Sequence, residues 1–173
     1  MSYSIILVGM PACGKTTIGT ILSEILPDYT LFDTDSIIEK TQGMAISDIF
    51  EKYSEDYFRK LENQTIKMVC TGRNKIISVG GGAFENPDNR ATLLSFGKVF
   101  YLKSDLDVLY YRISGDKTRP LLQKENPMEV LKKLLKKREE NYSKAHYTVD
   151  TNGTSTEDII RFILNEANAK STN

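Results

Sequence analysis

The sequence predicts a three-layer α/β/α fold in which a five-stranded parallel sheet lies between helices. Five short apolar runs recur along the chain, and segments with helical spacing separate them. The runs are SIILV at 4–8, YTLFDT at 29–34, KIISVG at 75–80, KVFYLK at 98–103 and HYTVDT at 146–151. Such alternation is typical of parallel sheets, because each parallel connection has to cross back over the sheet.

Three of the intervening segments show the helical period most clearly. Residues 15–26 place an apolar stripe on one face, formed by Ile18, Ile21, Leu22, Ile25 and Leu26. Residues 128–142 alternate apolar side chains with lysines, which we interpret as a solvated face rather than a nucleic-acid patch. Residues 155–169 open with Ser/Thr capping candidates and acidic residues, as helix starts do.

Composition narrows the class of protein. The 173 residues are 40% hydrophobic and 27% charged, which predicts one ordered domain over residues 1–173. Lys plus Arg and Asp plus Glu number 23 each, so no net charge attracts nucleic acid or an anionic membrane. The first apolar run is too short for a signal peptide or a membrane span. Cys13 and Cys70 lack metal-site spacing, which favours reduced thiols in the cytoplasm. We also expect a monomer.

Residues 9–16, GMPACGKT, match the phosphate-binding pattern G-x-x-x-x-G-K-[ST]. Glycines let the backbone curl until successive N–H groups point at one anion. Lys15 adds a mobile positive charge, and the Thr16 hydroxyl can bind a magnesium ion. A turn that binds nothing is the alternative, but a strand before the loop and a helix after it favour a nucleotide site.

Two aspartates follow the second predicted strand, in FDTDSIIEK at 32–40. In an extended chain the spacing of Asp33 and Asp35 puts both carboxylates on one side, facing the phosphate loop. One carboxylate can then hold hydrated magnesium, and the other can orient an attacking hydroxyl group. The alternative interpretation is that Asp35 only caps the following helix.

Glycines and arginines supply the remaining candidates. Gly80, Gly81 and Gly82 follow the third strand and suggest close approach of backbone to a ligand, with a tight turn as the alternative. Arg119 lies in GDKTRPLL at 115–122, a loop that can close over a nucleotide. Taken singly, Arg59 and Arg138 are ordinary charges on helix surfaces.

Together these pieces resemble the shikimate kinase family, in the same order and across nearly the whole chain. They are the phosphate loop, FDTDSIIEKTQGMAISDIFEKYSEDYFRKLE, VGGGAF, RPLL, KREENY and VDT. The resemblance implies a P-loop kinase fold with a short lid at about 113–126 and an acceptor-binding segment at about 33–62. It implies transfer of the terminal phosphoryl group of ATP, with Mg²⁺, to the 3-hydroxyl of shikimate, in chorismate and aromatic amino-acid biosynthesis.

The resemblance also implies roles for single residues. Asp35, Lys15 and Arg119 are expected to be catalytic, and Thr16 and Asp33 match the magnesium positions. The expected ATP-binding residues are Pro11, Ala12, Cys13, Gly14, Lys15, Thr16, Thr17, Arg112 and Arg119. The expected shikimate-binding residues are Asp35, Arg59, Gly80, Gly81, Gly82 and Arg138. The chain departs from the family pattern at Ala12 and Ser54, where glycines are common.

Two other functions stay open on the sequence. One is another small kinase on the same scaffold, with gluconate or a nucleotide as acceptor. The other is a nucleotide-binding regulatory module without transfer activity, although such a module would be expected to lose the acceptor-side residues, which this chain retains. A GTPase is disfavoured, because NKII at 74–77 lacks the aspartate of the guanine signature.

Overall fold

The computed structural model describes residues 3–114 and 126–168 and confirms the predicted α/β fold. The strands are β1 Ser4–Val8, β2 Thr30–Asp33, β3 Lys75–Ser78, β4 Gly97–Lys103 and β5 Tyr147–Asp150. All neighbouring strands are parallel, in the order β2-β3-β1-β4-β5. Each strand lies at one of the predicted runs. β3 ends at Ser78, so Val79 and Gly80 belong to the following turn and not to the strand as predicted.

Helices connect the strands. They are α1 Lys15–Ile25, α2 Thr34–Gln42, α3 Ile46–Lys52, α4 Glu55–Val69, α5 Pro87–Phe96, α6 Leu106–Ser114, α7 Pro127–Tyr142 and α8 Thr156–Asn168, with a short 3-10 turn at Ala83–Glu85. The predicted start of α8 is confirmed, because the Ser155 hydroxyl accepts a hydrogen bond from the Asp158 N–H at 3.1 Å. Within the described ranges, no helix is long and apolar enough to cross a membrane.

The main hydrophobic core forms around β1, the central strand. Every residue of β1 is buried, which explains its continuous apolar sequence. On α1, Ile18 and Leu22 are buried as predicted, but Ile25 is 49% exposed. The helix ends at Ile25. Leu26, which is no longer helical, packs against the core instead. The predicted stripe is therefore wrong at Ile25.

A second, smaller hydrophobic cluster joins α2, α3 and α4, the helices that follow β2. Its buried members are Ile38, Ile49 and Phe58. At the start of α4, Ser54 is extended (φ 178°), and its hydroxyl accepts a hydrogen bond from the Tyr57 N–H at 3.1 Å. Ser54 thus caps α4 without needing the backbone freedom of glycine. The three helices fill the segment expected to bind the acceptor.

The loop from β1 to α1 contains three positions with positive φ, at Gly9, Ala12 and Gly14. A Cβ atom added to Gly9 (φ 145°) would lie 2.8 Å from the carbonyl oxygen of Leu102, so only glycine fits there. Ala12 has φ 64°, in the left-handed region that costs a non-glycine residue about 1 kcal/mol or more. The departure from the family pattern at Ala12 therefore leaves the loop conformation in place at some cost in stability.

We predict that Ala12→Gly stabilises the protein. Glycine relieves the left-handed strain but adds freedom to the unfolded chain, so the net gain should be roughly 0.5 kcal/mol, or about 1 to 2 °C in Tm. Ala91→Gly, on the exposed face of α5, is the matched control and should cost about 1 kcal/mol. Thermal melts of both variants test this. If Ala12→Gly and Ala91→Gly lower Tm equally, the backbone at Ala12 is not strained.

Candidate active site

A cavity of about 540 Å³ opens at the carboxyl ends of the strands, where ligands gather in open parallel sheets. The turns after β1, β2, β3 and β5 contribute its walls, together with α6 and the first turn of α8. Its lining residues are Pro11, Ala12, Cys13, Gly14, Lys15, Thr16, Thr17, Ile18, Asp33, Asp35, Ser78, Val79, Gly81, Arg112, Thr151, Thr154, Thr156 and Ile159. The predicted phosphate loop and both predicted aspartates therefore face one cavity.

The phosphate loop ends in the N-terminus of α1, which begins at Lys15. Gly14 precedes it in left-handed geometry (φ 99°), and the helix start has neither a side-chain cap nor an acidic residue in its first turn. The Lys15 ammonium donates hydrogen bonds to the carbonyl oxygens of Gly9 and Met10, both at 2.9 Å. An uncapped helix start beside a lysine is a site of positive potential, suited to phosphate.

The Thr16 hydroxyl and the Asp33 carboxylate lie on the same side of this loop. Thr16 Oγ1 is 3.5 Å from Asp33 Oδ2, while Asp33 Oδ1 accepts a hydrogen bond from the Ser36 N–H at 3.1 Å. Asp33, not Asp35, is thus the N-cap of α2, and the alternative interpretation of Asp35 is wrong. One hydroxyl and one carboxylate oxygen fit Mg²⁺, which takes few protein ligands beside phosphate and water.

Asp35 lies in the first turn of α2 and not in an extended chain, since β2 ends at Asp33. The predicted reason for the convergence of the two aspartates is therefore wrong, although both line the cavity. Asp35 Oδ1 is buried and has no hydrogen-bond partner in the described part of the chain. Burial, followed by the neighbouring Asp33 charge, raises the pKa of Asp35 to about 6.

Arg59 is held between two carboxylates of its own helix. Its Nη1 donates to Glu62 Oε2 at 2.9 Å, and its Nε and Nη2 donate to Glu55 Oε1 at 3.3 and 3.1 Å. Glu62 is 1% exposed, and its burial raises the carboxyl pKa, which Arg59 partly offsets. The sequence analysis missed Glu62, although its i,i+3 spacing from Arg59 was a readable signal.

The glycine run is the place where these charged side chains meet. A Cβ atom on Gly80 would lie 2.5 Å from Asp35 Oδ1, and one on Gly82 would lie 2.7 Å from two Arg59 nitrogens. A Cβ atom on Gly81 would lie 2.9 Å from Pro11 of the phosphate loop. Side chains are therefore excluded from the run by neighbouring protein groups, and the predicted close approach of this backbone to a ligand stays a prediction.

Arg138, on α7, reaches the same run from the other side. Its Nη1 is 3.3 Å from the Cβ position of Gly81. Thr34, which the sequence analysis also missed, fixes the start of the run, because its buried hydroxyl accepts a hydrogen bond from the Gly80 N–H at 3.2 Å. The structure thus brings together all the residues predicted to bind the acceptor.

The end of the cavity beside the phosphate loop is formed by residues remote in sequence. Arg112 donates a hydrogen bond from Nη1 to the Ala12 carbonyl oxygen at 3.2 Å, so it lies beside the phosphate loop. Three threonines after β5 and Ile159 of α8 complete this end, and the sequence analysis did not find them. Arg119 and most of the predicted lid at 113–126 lie outside the described residues.

Comparisons with known proteins agree with this geometry. The family model "Shikimate kinase" matches residues 11–168. Shikimate kinases of Thermodesulfovibrio yellowstonii and Clostridium botulinum are 37% and 42% identical over 163 and 162 residues, which cover 94% and 92% of this chain and 94% of each relative. A solved shikimate kinase from Acinetobacter baumannii in complex with shikimate is 36% identical, with a TM-score of 0.92, over 100% of this chain and 97% of that one. The chain belongs to the shikimate kinase family.

Proposed function

We propose that this chain transfers the terminal phosphoryl group of ATP to the 3-hydroxyl of shikimate, giving shikimate 3-phosphate for aromatic amino-acid biosynthesis. One observation supports this most directly. The buried Asp35 carboxylate and the guanidinium groups of Arg59 and Arg138 meet at the glycine run, beside the phosphate loop that would hold ATP. Asp35 and Gly81 line the same cavity as this loop, and the two arginines adjoin it at the glycine run, so donor and acceptor can face each other there.

The acceptor side suits a small carboxylate that carries several hydroxyl groups. A guanidinium group presents planar, forked donors that match a carboxylate, so we assign the carboxylate of shikimate to Arg59 and Arg138. Oδ1 of Asp35 is buried and has no hydrogen-bond partner among residues 3–114 and 126–168, so it can accept a hydrogen bond from a hydroxyl group. The backbone of the glycine run supplies further polar groups within reach of the same ligand.

The donor side suits the phosphates and base of ATP. Loop residues 11–17 and the start of α1 would bind the phosphates, and Arg112 would lie near the adenine. Thr16 and Asp33 would hold Mg²⁺, which when bound neutralises charge on the β- and γ-phosphates. We also propose that Arg119 stabilises charge on the transferred group, as the family resemblance implies. The unpaired Cys13 and Cys70 are consistent with a reducing cytoplasm, where we expect the enzyme to act.

Asp35 positions the acceptor for reaction. It accepts a hydrogen bond from the 3-hydroxyl, whose oxygen forms a bond to the γ-phosphorus as the bond from that phosphorus to the β–γ bridging oxygen breaks. The hydroxyl proton passes to Asp35, and ADP leaves with the former bridging oxygen. Lys15 stabilises the charge on the phosphates during transfer, so most of the catalysis consists of positioning and electrostatic stabilisation.

The acceptor is tested by ADP release in the presence of ATP and Mg²⁺. We expect release to depend on shikimate, with gluconate and nucleoside monophosphates giving no increase above background. Release that responds to gluconate or to a nucleotide would identify another small-molecule kinase. Binding of ATP without release under any of these acceptors would favour a regulatory module.

We predict that Asp35→Asn lowers kcat at least about 100-fold while ATP binding persists, because the amide cannot accept the proton. Asp28→Asn, at an exposed position in the loop after α1, is the matched control and should be fully active. Steady-state kinetics and ATP titration of both variants measure this. Near-normal turnover of Asp35→Asn would contradict the role of Asp35.

The same substitution should stabilise the unliganded enzyme. The pKa of Asp35 rises from 3.8 to about 6 on folding, so its contribution to stability is present below pH 3.8 and lost as the pH rises through 6. At pH 7.5 we expect Asp35→Asn to unfold with a free energy roughly 1 to 3 kcal/mol higher than the parent, and at pH 3.5 with little difference. Urea unfolding at both pH values checks this prediction, and no gain at pH 7.5 would contradict it.

The raised pKa of Asp35 also predicts how activity depends on pH. Only the carboxylate form can take up the proton of the hydroxyl group, so kcat/KM for shikimate should fall as the pH drops through about 6. The profile should be measured at saturating ATP and Mg²⁺. A profile that stays flat down to pH 5 would show that ionisation of Asp35 is not required.

A further inference from the structure

The C-terminal end of α7 is held by one buried tyrosine. Of the side chains of α7, only Leu131 and Tyr142 are buried, and Tyr142 is 0% exposed. The lysines along the helix point into solvent, as predicted for a solvated face. Leu134 and Leu135 pack against the core, and Glu139 pairs with Lys103 of β4 at 3.0 Å. Tyr142 is therefore the fully buried anchor of the last turn but not its sole contact.

Tyr142 contacts three separate parts of the molecule. Its ring stacks on Tyr101 of β4, with the ring centroids 4.8 Å apart. Its hydroxyl donates a hydrogen bond to the Gly81 carbonyl oxygen and lies 3.9 Å from the sulfur of Met10 in the phosphate loop. Burial raises the pKa of Tyr142 well above its ordinary value, so the hydroxyl keeps its proton and remains a donor.

A second hydrogen bond fastens the same end of α7. Asn141 donates from Nδ2 to Glu85 Oε1 at 3.0 Å, in the 3-10 turn that follows the glycine run. Asn141 and Tyr142 thus tie α7 to both ends of the segment 81–85. Within the described ranges, no other residue of α7 makes a hydrogen bond to residues 81–85.

Arg138 lies one helical turn before Tyr142, so the two side chains share a face of α7. Its guanidinium group has no hydrogen bond or ion pair with any residue of 3–114 or 126–168, in contrast to Arg59, which two carboxylates hold. The buried Glu62 carboxylate attracts Arg138 electrostatically, but no hydrogen bond or ion pair within the described chain fixes the Arg138 side chain. Its place over Gly81 depends on where α7 is held.

We propose that Tyr142, assisted by Asn141, is a positioning residue that sets Arg138 for the carboxylate of shikimate by tying α7 to the glycine run. The proposal rests on the acceptor role proposed above for Arg138. The hydroxyl of Tyr142 also fixes the orientation of the Gly81 carbonyl group, and with it the backbone surface that would contact the acceptor. Tyr142 itself touches neither the phosphoryl group nor the reacting hydroxyl.

Tyr142→Phe tests the hydroxyl alone, since the ring can keep its stack on Tyr101. We expect KM for shikimate to rise about 3- to 10-fold, the size of one lost hydrogen bond, with KM for ATP unchanged. Because Arg138 would bind the carboxylate equally in the ground state and the transition state, kcat should change little. A residue with a merely structural role would lower Tm and change both KM values alike. Unchanged KM for shikimate would overturn the proposal.

Two control variants remove a tyrosine hydroxyl without touching the glycine run. Tyr101→Phe changes the ring that stacks on Tyr142, and the Tyr101 hydroxyl has no hydrogen-bond partner among the described residues. Tyr147→Phe changes a tyrosine of β5 that stacks on Phe100. Both should keep the parent KM for shikimate. A rise in KM for Tyr101→Phe equal to that for Tyr142→Phe would overturn the assignment to the Gly81 hydrogen bond.

A double variant shows whether Tyr142 acts through Arg138. Arg138→Lys should raise KM for shikimate, and adding Tyr142→Phe to it should raise KM little further, because the two effects share one route. If KM for shikimate in the double variant rises by the product of the two single increases, the proposal is overturned. If Arg138→Lys leaves KM unchanged, the role of Arg138 itself fails. If only Tyr142→Phe leaves it unchanged, the positioning role alone fails.

Asn141→Ala provides the test if Tyr142→Phe does not yield folded protein by thermal melt. This variant removes the second hydrogen bond to the 3-10 turn and leaves the buried ring in place. A selective rise in KM for shikimate would support anchoring of α7, and unchanged kinetics would overturn it.

Discussion

The active site depends on a stretch of backbone that carries no side chains. Charged side-chain atoms lie only 2.5 to 3.3 Å from the positions that Cβ atoms would take at Gly80, Gly81 and Gly82. This close approach lets a carboxylate and two guanidinium groups converge from three helices onto one small floor. Any side chain on the run would separate Asp35 and Arg59 from that floor and fill the space that an acceptor needs.

Convergence of these groups leaves several of them poorly satisfied in the unliganded protein. One oxygen each of Asp35 and Glu62 is buried without a hydrogen-bond partner in the described chain, and burial raises the pKa of both carboxyl groups. Burying a charge without full pairing costs stability. A hydroxyl group of the acceptor can donate a hydrogen bond to Asp35. The carboxylate that destabilises the free enzyme is therefore already in position for the ligand.

Arg59 and Arg138, which we propose bind the acceptor, are held by different means. Arg59 belongs to α4, which contributes Phe58 to the small cluster and Ile66 and Val69 to the main core, and its guanidinium group is held by ion pairs with its own helix. Arg138 belongs to α7, which packs on the main core and is tied to the glycine run at its last turn. The proposed acceptor site therefore depends on the contacts of both hydrophobic clusters.

The sequence by itself determined the sheet, the phosphate loop and the identity of most charged residues at the site. Local periodicity marks strands and helices, and the loop pattern is contiguous, so both can be read without long-range information. The Asp33 cap of α2 and the pairing of Glu62 with Arg59 are local contacts between residues three apart, so sequence spacing could have indicated both, whereas only the tertiary structure decided that Tyr142 meets Gly81. Contacts such as Tyr142 with Gly81, 61 residues apart, follow from how the helices pack on the sheet, and no short stretch of sequence encodes that packing.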